Sequence, residues 1–260
     1  MSLRARASGL SDVGVIRSHN EDCFDIDPEN QVFVVADGMG GHSHGEIASR
    51  LAIDAIRDFV ERTADQDATL PFEMDGRLGR HGNRIRAAIR VAHERVLKAI
   101  RQDASLHGMG TTVVGLLLDN GSAAIAHVGD SRAYRLRDGR LELLTQDHTW
   151  VNEQVVAGFL SEEQARSHPL KNVVTRALGG DTEVDIDVRE WPVEKNDLFL
   201  LCSDGLTTML TDDEILARLR SGDRLEEISS RLVRDANARG GYDNVSVVLV
   251  RIEPDEAADD

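Results

Sequence analysis

Val32-Phe33-Val34-Val35-Ala36-Asp37-Gly38-Met39-Gly40-Gly41 is the stretch on which the fold reading turns. A β-branched, apolar run that ends in Asp-Gly has the composition of a strand, predicted over Gln31–Ala36, that stops in a tight turn carrying a carboxylate. The same arrangement recurs: Leu198-Phe199-Leu200-Leu201-Cys202 runs into Ser203-Asp204-Gly205, and Asp243-Asn244 stands directly before Val245-Ser246-Val247-Val248. Further strands are predicted over Thr111–Leu118, Ser122–His127, Arg132–Arg137, Leu198–Cys202 and Asn244–Ile252. Asp119-Asn120-Gly121 and Asp138-Gly139 read as hairpin turns, so antiparallel sheet is expected.

Helical periodicity fills the intervals. Over Gly45–Arg62 the residues Ile47, Leu51, Ala55 and Phe59 fall four apart, with Ile53 and Ile56 widening the stripe. Ile85–Ile100 repeats the pattern, and Arg224–Ala238 places Leu225, Ile228, Leu232 and Val233 on one face. Thr211-Asp212-Asp213-Glu214 is a capping box opening a short helix through Leu219. Thr63–Gly82 reads as a long connection between two helices, and Pro254–Asp260 as an acidic disordered tail. Hairpin-linked strands interleaved with long helices predict an α+β fold of two packed sheets covered by helices, in a single domain over residues 1–253.

The bulk composition narrows the function classes. The chain has 260 residues, 41% hydrophobic and 29% charged, which suits a globular protein with a sizeable core. No run approaches the roughly 18 apolar residues of a membrane span. Met1–Leu10 carries Arg4 and Arg6 with no apolar stretch behind them, so no secretory signal is expected. A net charge of −16 repels nucleic acid and anionic membrane surfaces, and neither is an expected partner. Cys23 and Cys202 lack metal-ligand spacing. They read as buried, reduced thiols in a cytoplasmic protein, with a disulfide as the alternative.

The acid excess either keeps the chain in solution or includes a cation-binding centre, and the placement of the carboxylates decides between the two. Asp37, Asp204 and Asp243 each stand at the end or the start of an apolar strand, and Asp130 follows His127-Val128-Gly129. A strand end holds a carboxylate rigidly at the sheet margin, and an adjacent glycine lets backbone and ligand approach. Several carboxylates converging there repel one another unless cations neutralise them. Hard oxygen donors without thiolates favour Mg²⁺ or Mn²⁺ over Zn²⁺. A single Asp-Gly is ordinarily only a turn, as Asp138-Gly139 is read here. The combination points to chemistry.

Six motifs then occur in order: Arg17-Ser18-His19-Asn20-Glu21-Asp22, Asp37-Gly38-Met39-Gly40-Gly41-His42, Gly108-Met109-Gly110-Thr111-Thr112, Val128-Gly129-Asp130-Ser131-Arg132, Ser203-Asp204-Gly205-Leu206 and Asp243-Asn244. Together they resemble the bacterial branch of the metal-dependent protein phosphatases, the PPM or type 2C family, from about Gly9 to Ile252. The resemblance implies a four-layer α-β-β-α sandwich with two antiparallel sheets flanked by helices. It implies two Mn²⁺ or Mg²⁺ ions: Asp37 bridging both, the Gly38 carbonyl on one, Asp204 and Asp243 on the other. Asp130, with Asp204, matches a third site. Glu21, Asp22 and Asn244 would stand behind the ions, and Arg17 would hold the substrate phosphate, for which its planar fork is suited. Some relatives carry a histidine directly after the first Asp-Gly. Met39 stands there in this chain, which leaves His42 and the nearby His44 as candidate general acids, against solvated loop imidazoles with a metal-bound water as the acid.

The implied reaction is hydrolysis of phosphoserine and phosphothreonine by a metal-bridging water or hydroxide, opposing a bacterial Ser/Thr kinase, in a monomeric enzyme. Residues 145–180 would include a flap beside the site, where His148, His168 and Lys171 read as surface chemistry. Two other functions share these residues: a phosphoprotein-binding module without turnover, and a small-molecule phosphoesterase on the same metal centre.

Overall fold

The computed structural model describes residues 3–40, 44–65, 68–119 and 121–254. The stretch Val32–Met39 (β3) alternates between two cores. Val32, Val34 and Ala36 face one, while Phe33 and Val35 face another. A strand buried on both faces has no polar alternate positions, which is why the run reads as continuously apolar. Leu198–Cys202 (β10) behaves in the same way: Leu198, Leu200 and Cys202 turn to one side, Phe199 and Leu201 to the other.

Two antiparallel sheets result. In the first, Leu3–Asp12 (β1), Val245–Pro254 (β11), β10, Arg132–Arg137 (β7) and Arg140–Leu143 (β8) lie in that order. In the second the order is Asp22–Asp27 (β2), β3, Val113–Asp119 (β5), Ser122–Val128 (β6) and Asp187–Pro192 (β9), with the short Gly110–Thr111 (β4) also paired to β3. Phe33, Leu116, Ile125, Phe199, Leu201 and Val250 fill the space between the sheets. His44–Arg62 (α1) and Arg80–Gln102 (α2) cover the outer face of the second sheet. Asp204–Thr207 (α5), Asp212–Leu219 (α6) and Leu225–Ala238 (α7) cover the first. Three apolar cores therefore separate four layers, the expected α-β-β-α sandwich. Residues between β8 and β9 leave the sheets and form Trp150–Val156 (α3) and Glu162–Ser167 (α4).

The local chemistry agrees with these elements. The Asp138-Gly139 turn has φ of 48° and 72°, the left-handed pair a two-residue hairpin requires. The capping box at Thr211 and Glu214 is formed, and so is one at Ser161 and Gln164. Leu225, Ile228, Leu232 and Val233 are all buried, as the spacing predicts.

Several expectations need correction. The buried face of α1 is Ala48, Ala52, Ile53, Ala55, Ile56 and Val60, whereas Ile47 is 39% exposed. Alanines let the helix approach the sheet closely, and that rotates the contact face away from the bulkier stripe. Helix α2 begins at Arg80, inside the predicted connection, because Asn83 turns inward to bond the carbonyls of Asp75, Leu78 and Gly79. Pro254 ends β11 rather than opening a tail, paired with Leu3; residues 255–260 lie outside the described residues. Cys202 is buried, Cys23 only half-buried, and both are free thiols. Four strands escaped prediction, β1, β2, β8 and β9, and they are the four edges of the two sheets. Among the described residues no helix is long and apolar enough to cross a membrane.

The layer arrangement makes a stability prediction. Phe33→Ala should cost about 3–5 kcal/mol by leaving a cavity between the sheets, while Ile47→Ala should stay within about 0.5 kcal/mol. Urea unfolding midpoints read both; equal losses would contradict the assigned faces.

Candidate metal centre and active site

Asp22 opens β2 and lies in register opposite Asp37 near the end of β3. Asp130 follows β6, Asp204 follows β10 and opens α5, and Asp243 precedes β11. All five stand where strands of both sheets end on one side of the sandwich. A cleft of about 790 Å³ opens there, lined by Arg17, Asp37, Asp130, Asp204 and Asp243 and also by Asn172 and Val174.

Hydrogen bonds to neighbouring residues hold Asp37 through its backbone and Asp22 through its carboxylate. The Asp37 carbonyl accepts from the Thr111 hydroxyl and the Thr112 N–H, both at 2.8 Å, and the Asp37 N–H donates to Thr112 Oγ1 at 3.1 Å. The Ser203 hydroxyl donates to Asp22 Oδ2 at 2.7 Å, crossing from one sheet to the other, and accepts from the Ser246 N–H. Asn244 ties residues 13–21 to the start of β11: its Nδ2 donates to the carbonyls of Val13 and His19, and its Oδ1 accepts from the Glu21 N–H. Glu21 in turn accepts at Oε1 from the Gly45 N–H and at its carbonyl from Ser49. Gly38 is obligatory in this packing. A Cβ there would lie 2.1 Å from the Gly45 carbonyl oxygen, so only glycine lets the first turn of α1 rest on β3.

The electrostatics are those of crowded carboxylates. Burial raises Asp37 well above the ordinary carboxyl value of 3.8, reinforced by Asp22, Asp204, Asp130 and Asp243. Burial likewise lifts Asp22 and Asp130 to about 7 and Asp204 to about 6, with neighbouring aspartates adding to each. Among the described residues, buried Asp22 Oδ1 and Asp204 Oδ1 have no hydrogen-bond partner. Inward-facing carboxylate oxygens without donors are what a divalent cation with a preference for hard oxygen ligands requires, and the set suits Mg²⁺ or Mn²⁺. Arg17 provides the positive charge at the rim, 2.7 Å from Asp243 Oδ2, with both side chains partly exposed.

Arg17, Glu21, Asp22, Asp37, Gly38, Asp130, Asp204, Asp243 and Asn244 are thus gathered at one end of the molecule. His42 lies outside the described residues. His44 opens α1 near enough to Asp103 to favour that carboxylate, and it does not line the cleft. Sequence reasoning assigned no role to His19 or Thr112, which do line it. Both lay within the motifs quoted above, but nothing in spacing alone separates a cleft-lining motif residue from its neighbours. His148 is not surface chemistry: it is buried, stacked on His127, and its Nδ1 accepts from the Gly129 N–H.

Carboxylates gathered where the two sheets of an α-β-β-α sandwich end are the architecture of metal-dependent phosphatases. Within that class the chain belongs to the protein phosphatase 2C family, whose profile matches residues 17–241. It is 36% identical over 243 residues to the serine/threonine phosphatase stp of Listeria welshimeri, covering 92% of this chain and 93% of that protein. The crystal structure of the Mycobacterium tuberculosis serine/threonine phosphatase PstP/Ppp superposes with a TM-score of 0.85 at 35% identity, covering 96% of this chain and 100% of that one. The catalytic domain of PstP in complex with two manganese ions superposes with a TM-score of 0.84 at 33% identity, covering 97% and 100%.

Raised carboxyl pKa values have a thermodynamic consequence with a definite sign. Carboxyls that titrate high stabilise the fold only while protonated; that contribution is full below about pH 4 and is lost as pH rises through about 6 to 7. Without divalent cations the melting temperature should fall between about pH 5 and about pH 8, and Mn²⁺ should raise it more at the higher value. Equal Mn²⁺ shifts at the two pH values would show that these carboxyls do not hold the ion.

Proposed function

We infer that the chain is a metal-dependent protein serine/threonine phosphatase. The observation that carries this reading is the convergence of Asp37, Asp130, Asp204 and Asp243 in one cleft, with buried Asp22 beside Asp37 and Arg17 also lining the cleft. We propose Asp37, the Gly38 carbonyl, Asp204 and Asp243 as ligands of two Mn²⁺ or Mg²⁺ ions, and Asp130 with Asp204 as those of a third. Bound there, such ions supply an acidified water and neutralise charge on a phosphoryl group. The remaining work falls to the chain. Arg17 is about half exposed, and its pair with Asp243 is of the solvent-screened kind that contributes roughly 0–1 kcal/mol. The guanidinium can therefore exchange that carboxylate for two phosphate oxygens at little cost. Glu21, Asn244 and the Thr111-Thr112 pair keep the carboxylates in place as charge redistributes, and Asp22 stands behind them, fixed by Ser203.

Solvent exposure at Arg17 and Asp243 supports a phosphorylated side chain presented by a protein over an enclosed small metabolite. The reading includes a cognate Ser/Thr kinase, whose products this enzyme would reverse. It also includes a monomeric enzyme, free thiols at Cys23 and Cys202 being consistent with a cytoplasmic setting. Residues 145–180 are read as a flap, because Asn172 and Val174 line the same cleft as the carboxylates.

Hydrolysis of a phosphothreonine peptide should require Mn²⁺ or Mg²⁺ and stop with EDTA. Asp37→Asn should lower kcat by about 10²–10³ or more. Arg17→Ala should lower kcat/KM for phosphopeptide by about tenfold to a hundredfold. Retention of most Mn²⁺-supported activity by Asp37→Asn would refute the assignment, and a preference for sugar phosphates over phosphopeptides would move it to the small-molecule phosphoesterases.

A further inference from the structure

His127, His148 and Asp187 form a second cluster of titratable groups, outside the carboxylate centre. One ligand atom from each lies within 4.8 Å of the others, and both imidazoles are buried. The arrangement invites a cation, but the hydrogen bonding excludes one. His148 Nδ1 accepts from the Gly129 N–H at 3.1 Å, so the ring proton is on Nε2. Nε2 lies 3.6 Å from Asp187 Oδ2 and 3.4 Å from Arg176 Nη1, which is itself 3.5 Å from Asp187 Oδ1, so the cation place beside Nε2 is already taken by a guanidinium and the shorter Gly129 bond at Nδ1 sets the tautomer. A metal on Nε2 would need the proton moved to Nδ1, where it would collide with the Gly129 N–H.

The same bonds define another role. The His148 N–H donates to the Gly129 carbonyl at 3.0 Å, so backbone and ring together close two bonds onto one residue. The His148 carbonyl accepts from the Thr175 N–H at 2.8 Å, in the strand of chain that carries Asn172 and Val174 back past the cleft. Gly129 has φ of +106°, and a Cβ on it would lie 2.6 Å from the Thr112 side chain. It is therefore pressed against Thr112, which bonds the Asp37 N–H and the Ser131 hydroxyl. Asp130 is the next residue. His127 stacks on His148 with centroids 4.7 Å apart and is itself fixed by the Gln146 carbonyl. Burial, with His127 and Arg176 beside it, holds His148 neutral by lowering its pKa to about 4.

We propose that His148 is a positioning residue whose Nδ1 fixes Gly129, and through it the Asp130 carboxylate, to the base of the 145–180 segment, so that cation affinity at Asp130 and the placement of Asn172 and Val174 are set together. The proposal rests on Asp130 being a cation ligand, as read above. Three substitutions separate its parts. His148→Asn keeps an acceptor where Nδ1 stands, His148→Gln puts its polar atoms near Nε2 and leaves the Gly129 N–H unpaired, and His148→Ala removes both. The Mn²⁺ concentration for half-maximal phosphopeptide hydrolysis should rise about tenfold in His148→Gln and His148→Ala and return close to wild type in His148→Asn. KM for phosphopeptide should rise with it. Impairment of His148→Asn equal to that of His148→Gln would overturn the proposal. So would lowered melting temperatures with unchanged Mn²⁺ dependence and KM, which mark a purely structural histidine. Should the variants fail to fold, ¹⁵N NMR of wild-type His148 at neutral pH decides. Unprotonated Nδ1 with protonated Nε2 is expected; a proton on Nδ1 would sink the idea. That measurement needs no phosphatase activity, so it stands apart from any failure of the functional reading.

Discussion

Mutual repulsion among five carboxyl groups is the constraint on which the rest of the structure depends. Left in water, Asp22, Asp37, Asp130, Asp204 and Asp243 would separate. The fold holds them together in surroundings that make their charges costly, as the upward displacement of Asp22, Asp37, Asp130 and Asp204 records. Only a rigid frame can do this. The strands that deliver Asp37 and Asp204 are buried on both faces, and their side chains interlock with two cores at once. Substantial burial of apolar surface opposes the repulsion, and cation binding then converts the repulsion into affinity.

The frame is also bonded locally, at the points where packing alone would leave play. Thr111 and Thr112 grip Asp37 through its backbone and leave its carboxylate out of those bonds. Asn244 satisfies three backbone groups of the 13–21 segment and thereby sets Arg17 and Glu21 relative to the β11 end that carries Asp243. Such side chains do no chemistry themselves. They determine where the groups that do can be.

How much of this was legible in sequence follows from burial. Strands buried on both faces announce themselves, because Val32–Ala36 and Leu198–Cys202 have no polar alternation to confuse the reading. Edge strands do not. In β1 the inward positions Leu3, Ala5 and Ala7 include two alanines and are separated by Arg4 and Arg6, and β8 alternates Arg140, Leu141, Glu142 and Leu143. Polar, interrupted edges protect a sheet from pairing with another chain, and the same property hides them from a search for apolar runs. The carboxylates that share the cleft were legible as strand-end Asp next to turn residues, helped by a family resemblance. His148 was not, since Asp147-His148-Thr149-Trp150 is a polar loop in one dimension. Its burial comes from long-range contacts with Gly129, His127 and Thr175 that no local pattern encodes.

The carboxylates come from both sheets, and this links the core to the chemistry. Asp22 and Asp37 belong to β2 and β3, whereas Asp204 and Asp243 belong to the ends of β10 and β11. Their separations are therefore set by how one sheet sits on the other. Phe33 and Phe199 fill that space from opposite sides, and the Ser203–Asp22 hydrogen bond crosses it at the site itself. A change that lets the sheets slide would alter carboxylate spacing before it exposed any core to water. Sheet-to-sheet packing in this protein is thus part of the carboxylate cleft's geometry as well as of its stability, and inter-sheet residues far from the cleft help to set the spacing of its carboxylates.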